Sequence, residues 1–118
     1  MKILAVDTTA TAASVAVLSD GKLLSESFTN TGLTHSQTLM PMIDNTVSGA
    51  NIDIKDIDFF AVNNGPGSFT GVRIGVATVK GMAQALNKPC VSVSTLEALA
   101  YPLSSFSGIV CPILDARR

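Results

Sequence analysis

The spacing of hydrophobic residues changes along the chain, and this change predicts a mixed α/β fold. Near the N-terminus, apolar or alternating segments predict three strands, over Lys2 to Val6, Ala12 to Leu18 and Lys22 to Phe28. Asp20-Gly21 separates the second and third segments and is a strong signal for a two-residue hairpin turn. The chain is therefore expected to open with three antiparallel strands, which excludes a simple Rossmann start in which a helix follows the first strand.

Beyond this opening, the pattern alternates helices with strands. The predicted helices cover Thr34 to about Gly49, a long segment ending at Leu86, and Thr95 to Ala100, with a short connection at Ile52 to Asp56. The predicted strands are Asp58 to Val62, Cys90 to Val93 and Ile109 to Leu114. This order resembles the ribonuclease-H-like lobe that actin, Hsp70 and sugar kinases use twice. The predicted fold class is therefore α/β of this type, and fold alone assigns no function.

The first predicted helix carries a start signal and an apolar stripe. Thr34-His35-Ser36-Gln37 fits a capping box, in which the Gln37 side chain reaches back to the cap. Pro41 lies inside the helix and predicts a kink there, because proline donates no backbone hydrogen bond. The predicted stripe consists of Leu39, Met40, Ile43 and Val47.

A glycine-rich stretch from Asn63 to Gly75 (NNGPGSFTGVRIG) joins a predicted buried strand to the second long helix. Either Ser68 or Thr70 can cap that helix. The N–H groups of a helix start can hold an anion, which makes Gly65, Gly67 and Ser68 candidates for such a site. The stretch is not a phosphate-binding loop of the Walker type, since no Gly-Lys-Ser/Thr follows at the required spacing.

Composition narrows the possible functions. The 118 residues are enough for one domain. The net charge of −1 argues against a stand-alone nucleic-acid-binding protein, because such proteins usually carry an excess of basic residues. No apolar run approaches the roughly 20 residues that a membrane helix needs. Cys90 and Cys111 lie in predicted strands, so we expect buried free thiols of a cytoplasmic protein, with a disulfide as the alternative. Neither the cysteines nor His35 have metal-ligand spacing.

The glycine-rich stretch, together with Asp7-Thr8-Thr9 and the three-strand opening, resembles the bacterial TsaB (YeaZ-type) family. Members of this family are subunits of the machinery that makes threonylcarbamoyladenosine in tRNA. The resemblance runs from Met1 to Arg118 and includes the closing Asp115-Ala116-Arg117. It implies a second lobe of similar fold in the complete protein, with residues 1–118 as the N-terminal lobe. The ending directly after a predicted central strand also leads us to expect a longer chain.

A more distant resemblance links the sequence to TsaD, the catalytic paralogue of the TsaB family. In that paralogue, the strand after the second helix leads into a His-x-x-x-His metal site. Counted from the shared Gly-Pro-Gly turn, the matching positions here are Thr95 and Leu99. Leucine cannot ligate a metal and a lone threonine hydroxyl is a poor ligand, so we expect no metal chemistry and no catalysis here. The single histidine, His35, lies on another predicted helix.

The second long helix is expected to be unusually thin on one side, which is formed by Gly71, Gly75, Gly81, Ala77, Thr78 and Ala85. Interior glycines cost roughly 1 kcal/mol each relative to alanine. This pattern indicates close backbone packing, either against the domain's own sheet or against a helix of another chain. The family resemblance favours the second possibility, because it implies that TsaB pairs with itself and with TsaD through the two long helices. The expected interface residues are Met40, Ile43, Val47, Gly71, Ile74, Gly75, Thr78 and Met82, with Met42 as a further exposed methionine.

The sequence therefore predicts a non-catalytic scaffold that binds and activates TsaD, with the ATPase TsaE and tRNA joining through the assembly. No cofactor of its own is expected, although ATP or ADP can be present in the complex. The alternative is a nucleotide-binding, actin-like ATPase or kinase lobe that uses Asp7, Thr8 and Thr9 with the glycine turn. Against it, Asp7 also fits a simple turn residue that accepts nearby backbone N–H groups. A peptidase has no support, since no serine has a histidine-and-acid pair.

Overall fold

The computed structural model describes residues 1–32 and 34–115, which form a five-stranded mixed sheet flanked by helices. The strands are β1 (Lys2–Asp7), β2 (Ala13–Ser19), β3 (Lys22–Thr29), β4 (Phe59–Asn63) and β5 (Cys90–Val93). The helices are α1 (His35–Gly49), α2 (Phe69–Leu86) and α3 (Thr95–Ala100), with 3-10 turns at Ile54–Asp56 and Tyr101–Leu103. The strand order is β3-β2-β1-β4-β5.

The strand directions follow the predicted division between an antiparallel opening and a parallel second half. β1 and β2 are antiparallel, as are β2 and β3, whereas β4 runs parallel to both β1 and β5. The predicted hairpin is confirmed, because Asp20 and Gly21 have φ angles of 51° and 80° between β2 and β3. The N-terminal ammonium donates a hydrogen bond to the Asp20 carboxylate, and this contact lowers the pKa of that carboxyl group.

The hydrophobic core lies between one face of the sheet and the two long helices. α1 packs on β2 and β3, while α2 packs on β1, β4 and β5. The sheet contributes Leu4, Val6, Val15, Val17, Phe60 and Val62, and the helices contribute Leu39, Met42, Ile43, Val47, Val79 and Ala83. The opposite face of the sheet carries three alanines in register on neighbouring strands: Ala5, Ala16 and Ala61.

The start of α1 follows the prediction, and its apolar stripe needs one correction. The Thr34 N–H donates to the Gln37 side-chain oxygen at 3.3 Å, and the helix continues through Pro41 to Gly49. Leu39, Ile43 and Val47 are buried as expected. Met40 is 49% exposed, and Met42 is the buried methionine of this helix. The reason is geometric: at about 100° per residue, Met42 lies about 40° from the fully buried Thr46 on the helix surface, whereas Met40 lies about 120° from it.

Two predictions for the C-terminal part of the chain are wrong. Ile109 to Leu114 form no strand in the described structure, and Ile109 is 95% exposed. An apolar run becomes a strand only where a neighbouring strand supplies hydrogen bonds, and β5 has β4 as its sole partner among the described strands. Cys90 and Cys111 are free thiols, as expected, but both are exposed instead of buried. Cys90 lies on the outermost strand and Cys111 lies in the unpaired segment, so neither position is covered.

Residues 116–118, which include the end of the predicted Asp-Ala-Arg motif, lie outside the described residues. Among the helices of the described part, none combines the length and hydrophobicity required to cross a membrane.

Candidate functional site

Polar residues collect where the parallel strands β1, β4 and β5 reach their carboxyl ends. Asp7 ends β1, Asn63 ends β4, and Thr95 begins the helix that follows β5. The chain leaves β1 towards β2 on one side, and leaves β4 towards β5 on the other. In α/β sheets, a crevice at such a switch in strand order is the usual place for a ligand. The candidate site is therefore the cluster around Asp7, Asn63 and Thr95.

The Asp7 carboxylate is already satisfied by the chain itself. Its Oδ1 accepts hydrogen bonds from the Thr9 backbone N–H at 2.9 Å and from the Thr9 hydroxyl at 2.7 Å. Its Oδ2 accepts from the Asn63 side-chain amide at 2.9 Å. This geometry is that of a turn residue that accepts nearby N–H groups, which was one of the two interpretations of Asp7.

Asn63 is the centre of the cluster, and it was not among the site residues predicted from the sequence. Its Oδ1 accepts from the Gly65 backbone N–H at 3.0 Å and from the Thr95 hydroxyl at 2.7 Å. Asn63 is 5% exposed and Thr95 is 8% exposed, so these hydrogen bonds lie in the interior. One side chain therefore connects β1, the glycine turn and the start of α3. The available signal was an asparagine directly between a buried strand and a glycine turn.

The glycine turn is shaped by close contacts with the loop after β1. Gly65 has a φ of 102° and precedes a cis peptide bond to Pro66. A Cβ atom at Gly67 would lie 2.5 Å from the Thr9 carbonyl oxygen, so a side chain there would force the loops apart. The Ser68 N–H donates to the same Thr9 carbonyl at 2.7 Å.

The start of α2 uses its N–H groups within the chain. Ser68, not Thr70, is the N-cap residue, and its hydroxyl accepts from the Gly71 N–H at 3.2 Å. Two of the groups that an anion would bind at this turn, the N–H of Ser68 and the N–H of Gly71, are therefore engaged. The predicted anion site at Gly65, Gly67 and Ser68 stays a prediction, with fewer free donors than the sequence indicated.

Thr8 is fully buried beneath α2 and explains two of the helix glycines. Its hydroxyl donates to the Gly71 carbonyl oxygen at 2.5 Å. A Cβ atom at Gly71 would collide with the Thr8 carbonyl oxygen, and one at Gly75 would collide with the Thr8 hydroxyl. The thin side of α2 at Gly71 and Gly75 therefore packs against this domain's own β1–β2 turn. A bulky residue at Gly75 consequently perturbs the fold and does not probe an interface alone.

The predicted interface residues divide into two groups. Ile43 and Val47 are buried in the core, and Gly71 and Gly75 are buried against Thr8. The others reach the surface to different extents: Met40 is exposed, whereas Ile74, Thr78 and Met82 are half-buried. Met42, expected on the surface, is buried. An interface through these helices stays a prediction, and the surface available to it is the second group.

His35 and the described acidic and sulfur side chains do not assemble into a metal site. The His35 Nε2 lies 2.8 Å from the Ala10 carbonyl oxygen and so carries the proton, which ties the loop after β1 to the first turn of α1. In residues 1–32 and 34–115, no group of three or more His, Cys, Asp or Glu residues could hold a metal ion.

Comparison with known proteins identifies the family. The model of the family described as "TsaD: tRNA N6-adenosine threonylcarbamoyltransferase" matches residues 23–118. The chain belongs to this family. Its relatives include proteins named for the same tRNA modification, and they differ in how much of their length is shared with the chain.

Two curated relatives and one solved structure show the similarity over nearly the whole chain. The tRNA threonylcarbamoyladenosine biosynthesis protein TsaB of Bacillus subtilis (strain 168) is 38% identical, over 100% of this chain and 52% of the relative. TsaB of Escherichia coli (strain K12) is 39% identical, over 99% of this chain and 51% of the relative. YeaZ from Pseudomonas aeruginosa superposes with a TM-score of 0.80 at 37% identity, covering 91% of this chain and 49% of that one. The predicted resemblance to TsaB is confirmed, and the chain spans about half the length of these relatives.

Proposed function

We propose that the protein is a non-catalytic scaffold subunit that binds and activates the transferase TsaD in the threonylcarbamoyl modification of tRNA adenosine 37. Membership of the family and the similarity to proteins named TsaB support this role. In this proposal, residues 1–118 form an N-terminal lobe of the ribonuclease-H-like type found in actin, Hsp70 and sugar kinases. A second lobe of similar fold completes the protein.

The main support for the proposal is that positions 95 and 99 are occupied by Thr95 and Leu99. These positions match the two histidines that the resemblance assigns to the metal site of the catalytic paralogue. Here the Thr95 hydroxyl is buried and donates to Asn63, so its oxygen serves the internal network. The Leu99 side chain is 51% exposed and has no atom that could ligate a metal. The chemistry of the modification is therefore assigned to the partner subunit.

The proposed partners follow from the same role. The protein pairs with itself and with TsaD through α1 and α2, the ATPase TsaE joins that pair, and tRNA is bound by the assembly. The exposed and half-buried residues Met40, Ile74, Thr78 and Met82 are the proposed contact surface on these helices. Action in the cytoplasm and the lack of a cofactor of its own are part of the proposal.

The test is reconstitution of the modification with purified components. Full-length protein, TsaD, TsaE, the threonylcarbamoyl donor and unmodified tRNA are combined, and threonylcarbamoyladenosine is quantified by mass spectrometry of digested tRNA. Omission of this protein should reduce the product at least tenfold, and omission of TsaD should abolish it. Product formed by this protein without TsaD, or full activity in its absence, would contradict the proposal.

A nucleotide-binding lobe is the second candidate, and the cluster at the carboxyl ends of β1 and β4 favours it. A nucleotide would have to displace Thr9 or Asn63 from Asp7, because both donate to that carboxylate. Calorimetric titration of the full-length protein with ATP and Mg²⁺ separates the candidates. Tight binding that disappears in Asp7→Ala would favour the nucleotide-binding lobe, whereas the scaffold role predicts no binding that depends on Asp7.

A further inference from the structure

The glycine turn contains Asn64, the one asparagine in the sequence that is followed by a glycine. Asn64 is exposed, and Gly65 has no Cβ atom to hinder the backbone nitrogen that joins the two residues. We propose that Asn64 is a site of spontaneous deamidation to aspartate and isoaspartate, and that the buried side chain of Asn63 controls the rate. This inference is independent of the proposed function, because the reaction needs no partner protein.

The reaction joins the Asn64 side chain to the backbone nitrogen of Gly65. That nitrogen gives its proton to water and attacks Cγ of Asn64, and the new C–N bond closes a succinimide ring. The bond from Cγ to Nδ2 breaks, and the leaving nitrogen takes a proton from water and departs as ammonia. Water then opens the ring, at Cγ to give aspartate or at the backbone carbonyl carbon to give isoaspartate. Water is consumed and ammonia is released, with no oxidation or reduction.

The other asparagines of the chain are poorer sites for this chemistry. Each is followed by a residue whose side chain crowds the attacking nitrogen: Asn30 by Thr31, Asn45 by Thr46, Asn51 by Ile52, Asn63 by Asn64, and Asn87 by Lys88. They serve as internal comparisons, because they age in the same sample under the same conditions as Asn64.

Three hydrogen bonds hold the backbone around Asn64 in the folded protein. The Gly65 N–H donates to Oδ1 of Asn63 at 3.0 Å. The Asn64 N–H donates to the Val93 carbonyl at 3.0 Å, and the Thr95 N–H donates to the Gly65 carbonyl at 3.0 Å. The first bond holds the proton that the attacking nitrogen must lose, and the other two keep the backbone from rotating towards the side chain. The fold therefore slows the reaction at its most susceptible asparagine.

Asn63 is well placed to control the opening of this turn. Its side chain is 5% exposed and is fixed at both ends, since Nδ2 donates to Asp7 at 2.9 Å and Oδ1 also accepts from the Thr95 hydroxyl at 2.7 Å. Deamidation of Asn64 requires a local opening in which Gly65 leaves Asn63. Such openings have their own free energies, which differ from that of global unfolding.

The two products differ in their effect on the structure. Aspartate keeps the backbone path, whereas isoaspartate adds a methylene carbon to the backbone between the Asn64 N–H and the Gly65 carbonyl. These two groups form the hydrogen bonds to Val93 and Thr95 that join the end of β4 to β5 and α3. A longer backbone cannot keep both bonds at their present spacing. The isoaspartate form should therefore lose the polar cluster and unfold more easily.

The experiment measures deamidation at Asn64 over time in the full-length protein at neutral pH. Mass spectrometry of digests, with chromatographic separation of the asparagine, aspartate and isoaspartate forms, gives the rate. A synthetic peptide of residues 58–70 provides the unprotected rate, which should exceed that of the folded protein by about tenfold or more. Asn63→Ala should react roughly fivefold faster than wild type, because a hydrogen bond of ordinary net strength shifts an opening equilibrium by about that factor.

Two control variants separate the local effect from general instability. Val17→Ala removes core packing at a fully buried position on β2, which is paired with Leu4 and lies away from the turn. Its rate at Asn64 should stay within about twofold of wild type, since global unfolding is rare in a folded domain. Asn64→Gln should keep its stability during the incubation, whereas wild type should lose stability as isoaspartate accumulates.

The contrary results reject different parts of the inference. No excess of deamidation at Asn64 over the other asparagines, in wild type and in the peptide, rejects the site. Equal acceleration by Val17→Ala and Asn63→Ala rejects control by Asn63 and leaves general unfolding as the cause. Hydrogen exchange of the wild-type protein supplies a readout that needs no variant. The Gly65 N–H should exchange slowly, and exchange at the rate of the peptide would overturn the protection, even if Asn63→Ala does not fold.

Discussion

The inward and outward sides of α2 contain the same residue type for different reasons. Gly71 and Gly75 face Thr8, and a side chain at either position would collide with that residue. Gly81 faces open space, where a side chain would meet nothing. The two inward glycines are therefore required by the fold, whereas the outward glycine has no structural role within the described chain. Glycines in one helix can therefore occur for two different reasons. They are distinguished by whether each glycine faces the core or the solvent.

The rotation along the helix explains the difference. Gly71 and Gly75 are four residues apart, so they lie nearly in line on one face. Gly81 is six residues beyond Gly75, which places it about 240° around the helix axis. From the sequence, all three glycines were predicted to lie on one thin side of the helix. Single substitutions on each side of α2 test this difference.

The largest effect is expected for Gly75→Leu. The added side chain has no room beside Thr8, whose hydroxyl is buried and bonded to the Gly71 carbonyl. Overpacking of this kind typically destabilises by 1–3 kcal/mol and occasionally by more, so we expect a loss of about 3 kcal/mol. Urea denaturation followed by circular dichroism measures it. A variant as stable as wild type would show that the inward face tolerates side chains, and the comparison would lose its basis.

Asn63→Ala tests the polar cluster beneath the start of α2. The change leaves the Thr95 hydroxyl, the Gly65 N–H and one oxygen of Asp7 without their present partner. Unsatisfied buried groups cost about 1–3 kcal/mol each, and partial access of water to Asp7 reduces the sum, so we expect a loss of about 2 kcal/mol. The same denaturation experiment applies. A loss below about 0.5 kcal/mol would mean that water replaces the amide.

Thr8→Val removes the hydroxyl that holds the inward face while keeping the side chain's shape. The Gly71 carbonyl then loses the hydrogen bond from Thr8, and we expect a loss of about 1 kcal/mol. Thr46→Val provides a comparison at a second fully buried threonine, whose hydroxyl bonds the Met42 carbonyl and also contacts the Ser27 hydroxyl at 2.7 Å. If the two variants lose the same stability, the Thr8 contact has no special importance for α2.

Gly81→Ala is expected to have the smallest effect and the opposite sign. The methyl group meets no neighbour and alanine favours the helix, so stability should rise by about 0.5–1 kcal/mol. Thermal denaturation detects the change as a higher midpoint. A lower midpoint would indicate that Gly81 has a structural role within the domain.

The features that the sequence predicted correctly depend on short stretches of chain. The Asp20-Gly21 hairpin, the Gln37 contact at the start of α1 and the strand before the glycine turn are set by neighbouring residues. The turn role of Asp7 was also recognised as one of two possibilities, because an aspartate after a strand accepts N–H groups two residues on.

The features that the sequence did not predict depend on residues distant in the chain. Asn63 and Thr95 are 32 positions apart, and only the parallel pairing of β4 with β5 brings them together. The exposure of Cys90 follows from its place on the outermost described strand, which no local pattern reports. Periodicity alone also did not separate Met40 from Met42. In each case, the local sequence pattern identified the helix or strand, and the packing of that element in the fold determined which residues its side chains contact.

The free energies of unfolding of Gly75→Leu and Gly81→Leu, measured side by side by urea denaturation, test most directly whether the two sides of α2 have separate roles. A side chain at Gly81 has open space, so Gly81→Leu should be at least as stable as wild type. A side chain at Gly75 collides with the Thr8 hydroxyl, so Gly75→Leu should be less stable by about 3 kcal/mol. Equal stability of the two variants would contradict the account.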